Sequence, residues 1–548
     1  MGVRKHWWWA KLKTNRKSDN DSIVAAAVQF NSEHGNTEGN RARITELFME
    51  AAAKGAKLVV FPEMASSGYV WESREEIKPC VETIPGPTTN SLLDVAKKYG
   101  SYAVIGLPEV DASTGIYYNS AALIGPEGVI GVYRKTHLYA ADPRWAREGS
   151  GEIPVFETAI GRVGILICMD AMYFEPARLA ALKHADIIAF PTNWVGGGNN
   201  PPSKTWCLRA KENGVSWVAA NRSDQERGAQ FTGGSSIIDA EGNIQSMLVA
   251  GEGIVYGEIR NSRDKRQSRL AARRPRAYQE LLLQPYLWEE GETRSLTGSG
   301  GYQTVIVPYP EATGDLVTIV GLTEAFRVLE LQLSADEAMR QLFVLPTLKT
   351  DSRLVSHALL FNKLRTIAGR CHGYIVFGLT EKGSAEEEST VYLIGPEGLL
   401  GSASPIHHNG EIATSENRRK FQTVELPFAR VGLLPEADAH YPESYRVLAK
   451  QGADIIAVCS SGEQPDTAWM KRIWAFENDA VIAVAAPSGS PESLLFLHRQ
   501  IHDEGDLIAG PFVRTLETQM TETVRRRPFM KRLKTHLYER LVIDEGKG

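Results

Sequence analysis

A chain that carries the same short phrases twice, in the same order, has to build the same unit twice. Here Leu123-Ile124-Gly125-Pro126-Glu127-Gly128 returns as Leu393-Ile394-Gly395-Pro396-Glu397-Gly398, and Ala185-Asp186-Ile187-Ile188-Ala189 returns as Ala453-Asp454-Ile455-Ile456-Ala457. Arg162-Val163-Gly164-Ile165-Leu166 is echoed by Arg430-Val431-Gly432-Leu433-Leu434, Lys211-Glu212-Asn213 by Phe476-Glu477-Asn478, and Arg273-Arg274-Pro275 by Arg526-Arg527-Pro528. A length of 548 residues exceeds what one core supports and agrees with a duplicated domain. The predicted division is a basic, tryptophan-rich tail over 1–21, a first domain over 22–292 and a second over 293–548.

Within the first copy, strand-like and helix-like segments alternate. Ile23 to Val28, Lys57 to Phe61, Tyr102 to Gly106, Ser120 to Ile124, Val129 to Tyr133, Val163 to Ile167 and Ala185 to Phe190 are apolar runs of strand length. Arg41 to Lys54, Asn90 to Tyr99 and Pro176 to His184 have helical spacing. Such alternation predicts an α/β unit whose sheets are covered by helices, with chemistry at the carboxyl ends of strands.

Three strand ends carry suitable residues. Glu63 follows Lys57 to Phe61, Lys135 follows Gly131 to Arg134, and Cys168 ends Gly164-Ile165-Leu166-Ile167. A charge directly after a buried strand must be solvated, paired or catalytic. Cys168 alone reads as a small buried hydrophobe. With a carboxylate and an ammonium it becomes part of a set: a base for the thiol proton, a cation for an oxyanion and a nucleophile for acyl transfer.

In context, Val60-Phe61-Pro62-Glu63, Tyr133-Arg134-Lys135-Thr136-His137-Leu138 and Gly164-Ile165-Leu166-Ile167-Cys168-Met169-Asp170 resemble the three catalytic blocks of the nitrilase (carbon–nitrogen hydrolase) superfamily. Phe190-Pro191-Thr192-Asn193-Trp194 and Arg273-Arg274-Pro275 with Tyr278 match in order as well. The resemblance runs from about Ile23 to Leu283. It implies two tandem four-layer αββα sandwiches, a Glu63-Lys135-Cys168 triad, no cofactor and no metal. Many members carry a second glutamate after the lysine block. Here the nearest counterpart is Asp142, one methylene shorter, which either supports the lysine or merely starts a turn before Pro143. Met169-Asp170 stands where nitrilases proper usually have Trp-Glu, which tilts the expectation toward an amide or carbamoyl substrate. The expected reaction converts a small amide, with an apolar or aryl acyl group, to a carboxylate and ammonia or an amine. Nitriles and N-carbamoyl compounds are the alternatives, and a non-catalytic amide-binding or scaffold protein is the reading from another class. Tyr69, Tyr139, Met169, Asn193 and Trp194 are the expected substrate contacts, with Tyr118 and Trp145 near them.

The second copy aligns Thr347 with Glu63, Pro405 with Lys135 and Glu436 with Cys168, so base, cation and nucleophile are all replaced. Its expected role is to act as an intramolecular partner for the first domain, giving a pseudo-dimer that could oligomerise further. A net charge of -5 gives no reason to expect nucleic acid. The segment Arg260 to Glu292, basic from Arg263 to Arg276, therefore reads as a connecting strap rather than a binding patch. Five widely spaced cysteines argue for a reducing compartment, expected to be the cytoplasm. No apolar run reaches the roughly 18 residues that span a bilayer. The pair His407-His408 lacks further spaced metal ligands. Gly196 to Pro202 reads as a loop without phosphate-cradle spacing.

Overall fold

The computed structural model describes residues 22–196, 203–260, 262–283, 302–307, 340–350, 356–381, 389–407, 420–462, 468–487, 494–496, 512–516 and 529–544. The tail over 1–21, most of the glycine-rich loop, His408, residues 284–292 of the strap and Arg526-Arg527-Pro528 lie outside them. The chain divides into two compact units, Met1–Met172 with Pro176–Leu270 and Tyr173–Glu175 with Ala271–Gly548.

The first unit contains β1 (Ile23–Gln29), β2 (Leu58–Val60), β3 (Tyr102–Val110), β4 (Tyr117–Gly125), β5 (Gly128–Arg134), β6 (Val155–Thr158), β7 (Gly161–Ile165), β8 (Ile187–Pro191), β9 (Ser216–Ala220), β10 (Gln225–Glu226), β11 (Ala229–Gln230), β12 (Ser235–Ile238), β13 (Ile244–Leu248) and β14 (Gly253–Ile259). One six-stranded sheet has the order β14-β1-β2-β3-β4-β5 and the other β13-β12-β9-β8-β7-β6, with β10-β11 a small hairpin. Each sheet has a parallel centre, where Ala25 pairs Leu58 and Leu58 pairs Tyr102, and where Val163 pairs Ile187 and Ile187 pairs Ser216. The centres are parallel because helices make the crossovers.

The helices Thr37–Ala53 and Pro87–Tyr99 bury Ile44, Leu47, Phe48, Leu92, Val95 and Ala96 against the outer face of the first sheet. The first begins earlier than its apolar spacing indicates, because the Asn36 side chain accepts from the Gly39 N–H at 3.0 Å and caps it. The helices Phe174–Leu182 and Lys204–Asn213 supply the layer outside the second sheet. Between the sheets, a Cβ on Gly131 of β5 would stand 2.0 Å from Phe156 of β6, so only glycine allows that approach. The result is the αββα sandwich.

The second unit repeats this plan. A six-stranded sheet runs Gly398–Ala403, Thr390–Gly395, Gly373–Glu381, Arg340–Thr350, Tyr302–Ile306, Phe512–Leu516, and a five-stranded one runs Gln422–Glu425, Arg430–Pro435, Ile455–Cys459, Val481–Ala485, Leu494–Phe496. Val344, Val376, Val391 and Leu393 of the first pack with Val431, Leu433, Ile455 and Val481 of the second in one core. The helix His357–Arg370 buries Leu360, Leu364 and Ile367 on the outer face. Gly401 repeats the role of Gly131, since a Cβ there would lie 2.5 Å from Val424.

Several of the strap's cations are held by this protein's own acids. Lys265 meets Glu241 at 2.8 Å, Arg266 meets Asp186 at 3.0 Å, and Arg273 meets Glu443 at 2.8 Å. Among the described residues no helix is long and apolar enough to cross a membrane, and no cluster of three or more His, Cys, Asp and Glu could hold a metal ion. His407 gives its Nδ1 edge to Asp438 at 2.7 Å, and its ring stacks on Tyr441 at 3.6 Å.

Candidate active site

Glu63, Lys135 and Cys168 all leave strand ends of the first unit. Glu63 follows β2, where its backbone lies against β3: a Cβ on Gly106 would come within 2.5 Å of the Glu63 Cα. Lys135 directly follows β5. Cys168 opens the turn Cys168–Met172 that joins β7 to the next helix. The residue after Glu63, Met64, has φ 52°, and Cys168 itself has φ 44°. Both sit in the left-handed region, which costs a side-chain-bearing residue roughly 1–2 kcal/mol and persists only where the surroundings enforce it.

All three side chains are buried. Lys135 Nζ donates to Glu63 Oε1 at 2.7 Å and to Asp142 Oδ2 at 2.6 Å. Asn119, which pairs with Pro108 in the β3–β4 ladder, closes the group: its Nδ2 donates to Glu63 Oε1 at 2.8 Å and to Asp142 Oδ1 at 3.0 Å. The Asn193 N–H donates to Glu63 Oε2 at 2.9 Å, and Asn193 Nδ2 to the Glu63 carbonyl at 2.8 Å. Asp142 also accepts from the Tyr139 N–H at 3.0 Å. Asp142 thus both contacts the lysine and begins the 3₁₀ turn Asp142–Arg144.

Burial sets the proton affinities. The Glu63 carboxyl is raised above its ordinary value, first by desolvation and then by the Asp142 charge, against the pull of Lys135 and Asn119. Burial alone would lower Lys135, but the carboxylates of Asp142 and Glu63 override it and hold the ammonium well above its usual range. The Cys168 thiol is raised by burial and by the Glu63 charge, opposed by Lys135, the Thr192 hydroxyl and the Asn193 N–H. The Cys168 thiol is therefore held neutral, beside the Glu63 carboxyl and a fixed cation.

A second network ties the lysine segment to the cysteine turn. Asp170 Oδ1 accepts from Thr136 Oγ1 at 3.1 Å and the His137 N–H at 3.3 Å, and meets His137 Nδ1 at 2.8 Å. Its Oδ2 accepts from Tyr133 Oη at 2.8 Å and from the Ile167 N–H at 2.9 Å. Asp170, two residues beyond the thiol, so fixes the strand end that carries Lys135 against the turn that carries Cys168.

The expected substrate contacts are placed unevenly. Tyr69 is buried with its ring centroid 6.0 Å from Lys135 Nζ, and its hydroxyl donates to the Tyr139 carbonyl at 3.3 Å. Glu226 anchors that segment by accepting from the Tyr69 N–H at 2.9 Å and the Val70 N–H at 2.6 Å, and is itself paired to Arg222 at 2.7 Å. Met169 adjoins Cys168 and is buried, whereas Tyr139 is 36% exposed and its backbone bonds Asp142 and Tyr69. The Trp194 ring packs edge-on against Trp206 at 5.5 Å. Trp145 joins Tyr69, Trp71 and Phe231 in one apolar cluster, while Tyr118 lies under the Arg134 guanidinium at 4.0 Å. Asn119 and Thr192 escaped the sequence reading. Each sits in a strand-end phrase with nothing in its spacing to mark it.

In the second unit the corresponding groups pair with one another. Thr347 Oγ1 donates to the Cys459 carbonyl at 3.0 Å and shares a hydrogen bond with Ser389 Oγ at 3.1 Å. The link between blocks survives: Asp438 accepts from the Ile406 and His407 N–H groups at 3.0 and 2.8 Å, as Asp170 accepts from the His137 N–H in the first unit.

The carbon–nitrogen hydrolase family model matches residues 24–266 and again 345–508. A nitrilase from Pyrococcus abyssi is 39% identical over 226 residues, 41% of this chain and 84% of that protein. An omega-amidase from Danio rerio is 34% identical over 236 residues, 40% of this chain and 82% of that protein. The crystal structure of an amidase from Nesterenkonia sp. is 24% identical, with a TM-score of 0.39 over 45% of this chain and 95% of that one.

Proposed function

We propose that this chain, which belongs to the carbon–nitrogen hydrolase family, cleaves a small linear amide to a carboxylate and ammonia or an amine through a thioester on Cys168. The observation that supports this reading is the buried Glu63–Lys135 pair, whose charges both act on the Cys168 thiol. In the first half-reaction Glu63 accepts the thiol proton as Sγ attacks the carbonyl carbon. The carbonyl π pair moves to oxygen, where Lys135 stabilises the oxyanion. Collapse expels the amine, which takes the proton back from Glu63. In the second half, Glu63 deprotonates a water that attacks the thioester, and the thiolate leaves and regains its proton. Asp142 and Asn119 hold Lys135 and Glu63 in register throughout. An apolar acyl group suits the buried Tyr69, Trp145 and Phe231 cluster.

The name omega-amidase on one relative and nitrilase on another mark the two chemistries to separate. Mass spectrometry of protein quenched during reaction with a panel of amides, carbamoyl compounds and nitriles reads this directly. The expected result is an acyl adduct on Cys168 with an amide, lost in Cys168→Ala. An adduct with nitriles alone would move the substrate class, and no adduct or turnover with any compound would sink the enzymatic reading.

A further inference from the structure

The second unit shows an anion where the first unit has its nucleophile. Glu436 occupies the place of Cys168: each opens the short 3₁₀ turn after an equivalent strand, and each is followed two residues later by an aspartate that binds the preceding block. The Glu436 carboxylate is caught by two donors at the end of the neighbouring strand. Ser460 Oγ donates to its Oε1 at 2.7 Å, and the Ser461 N–H donates to its Oε2 at 2.8 Å. Ser460 directly follows the strand Ile455–Cys459, just as Thr192 follows β8 (Ile187–Pro191).

The same two donors exist beside Cys168. Thr192 is wholly buried, its backbone is fixed by a hydrogen bond from its N–H to the Ala220 carbonyl at 2.9 Å, and its hydroxyl makes no hydrogen bond of good geometry in this structure. A buried hydroxyl without a partner costs about 1–3 kcal/mol, so a group there calls for a use. The Asn193 N–H stands next to it, already engaged with Glu63 Oε2. Both groups act on the Cys168 thiol in the direction that favours its ionised form.

We propose that the Thr192 hydroxyl is a catalytic donor that binds the Cys168 thiolate, forming with the Asn193 N–H a two-donor cradle that the Ser460–Ser461 pair displays closed around a carboxylate. This rests on Cys168 being the nucleophile of the hydrolase. When Glu63 takes the thiol proton, the Asn193 N–H loses a full carboxylate acceptor, because Glu63 is now neutral, and gains the thiolate. The Thr192 hydroxyl gains a charged acceptor. The cradle thus binds the thiolate more strongly than the thiol, which lowers the barrier to ionising a thiol that burial otherwise keeps protonated. No bond to Thr192 forms or breaks.

The test uses the full chain and iodoacetamide, with alkylation of the Cys168 peptide followed by mass spectrometry across pH. Thr192→Val keeps the shape and removes the donor, whereas Thr192→Ser keeps the donor. In Thr192→Val the apparent thiol pKa should rise by about one unit and alkylation at neutral pH should slow about tenfold, the size of a lost hydrogen bond to a charged group. Thr192→Ser should follow the native profile. An unchanged profile in Thr192→Val, or a Thr192→Ser profile that shifts as far as the valine one, would overturn the proposal. Should the valine variant not fold, Thr192→Ala provides the same readout with the same two outcomes. Alkylation needs no amide, so a shifted profile in a protein that turns over no amide would sink the substrate reading and leave the cradle standing.

Discussion

Replacing Asp142 by asparagine removes one charge and almost no volume, and the hydrogen-bond geometry determines the consequences. Asp142 Oδ2 accepts from Lys135 Nζ at 2.6 Å and from the Tyr139 N–H at 3.0 Å, while Oδ1 accepts from Asn119 Nδ2 at 3.0 Å. Every neighbour is a donor. An asparagine can put its oxygen on one side only, so its NH₂ must face either Lys135 and Tyr139 or Asn119. The first arrangement sets donors against a buried ammonium. The second could be relieved by turning Asn119 over, but that would place the Asn119 oxygen against Glu63 Oε1, an acceptor. Some buried pair is therefore mismatched in every arrangement. One hydrogen bond to a charged group is worth about 1.5–3 kcal/mol, and Glu63 still balances the lysine, so the expected loss is about 2–4 kcal/mol of stability rather than the full cost of an orphaned buried charge. Kinetically, a lysine held from one side only should reduce kcat by roughly 10²-fold, the scale of losing one oxyanion donor. The pH profile gives a separate signature. Below its raised pKa Glu63 is protonated and cannot take the thiol proton, so the rate falls as pH falls; the Asp142 charge is one cause of that rise. Asp142→Asn should move the acid limb to lower pH. Urea unfolding and a kcat–pH series on the purified variant check both. A variant within about 0.5 kcal/mol of native stability, with native kcat and an unmoved acid limb, would show that Asp142 does not hold Lys135.

Cys168→Ala should abolish turnover and leave thermal unfolding nearly unchanged, since it removes one sulfur at a turn already held by Asp170. Asp170→Asn and Asp438→Asn break equivalent links, and each should cost about 3 kcal/mol on denaturant unfolding; only the Asp170 variant should also lose kcat, and an equal kinetic loss from Asp438→Asn would refute a silent second copy. Lys450 donates to the carbonyls of Leu281 and Leu283 at 2.6 and 2.8 Å, and burial lowers it to about 7. Between about pH 7 and 10.5 the unfolded chain binds the proton that the folded one has shed, so this group makes stability rise with pH, by a total on the order of 4 kcal/mol. Equilibrium unfolding at pH 7 and 9.5 should show a smaller rise in Lys450→Met than in the native protein.

The duplicated phrases and the apolar strands were readable because each follows a local rule: strands buried on both faces are continuous apolar runs, and a unit built twice repeats them in order. The meeting of Glu63, Lys135 and Cys168 followed from three strand ends in an α/β unit. What stayed hidden was the middle of the site. Asn119 is an asparagine in the phrase Tyr117-Tyr118-Asn119-Ser120, and its bridging of two carboxylates depends on where β4 sits relative to β2 and β5. Asp142 was ambiguous because one residue does two jobs, turning the chain before Pro143 and contacting Lys135. Trp194 and Tyr139 show the converse: proximity in sequence to a catalytic block does not aim a ring. The Trp194 ring packs on Trp206, and Tyr139 is 36% exposed.

The two units together separate the residues that hold this fold from those for which a catalytic role is proposed. Asp438 keeps its bonds to the Ile406 and His407 N–H groups although Pro405 has replaced the lysine and Glu436 the cysteine. Its removal would leave those buried N–H groups unpaired whether or not anything reacts nearby. Thr347 and Ser389 satisfy each other where Glu63 and Asn119 stand in the first unit, so the loss of a buried carboxylate came with the loss of its amide donor. An unpaired Glu63 or Lys135 could not have remained alone at the centre of such a sandwich. Glu63, Lys135 and Asn119 are thus an energetic unit, stable in burial only together. The Cys168 position obeys a different rule: at its counterpart, Glu436, the Ser460 hydroxyl and the Ser461 N–H donate to the side chain, so that group is satisfied without a lysine partner.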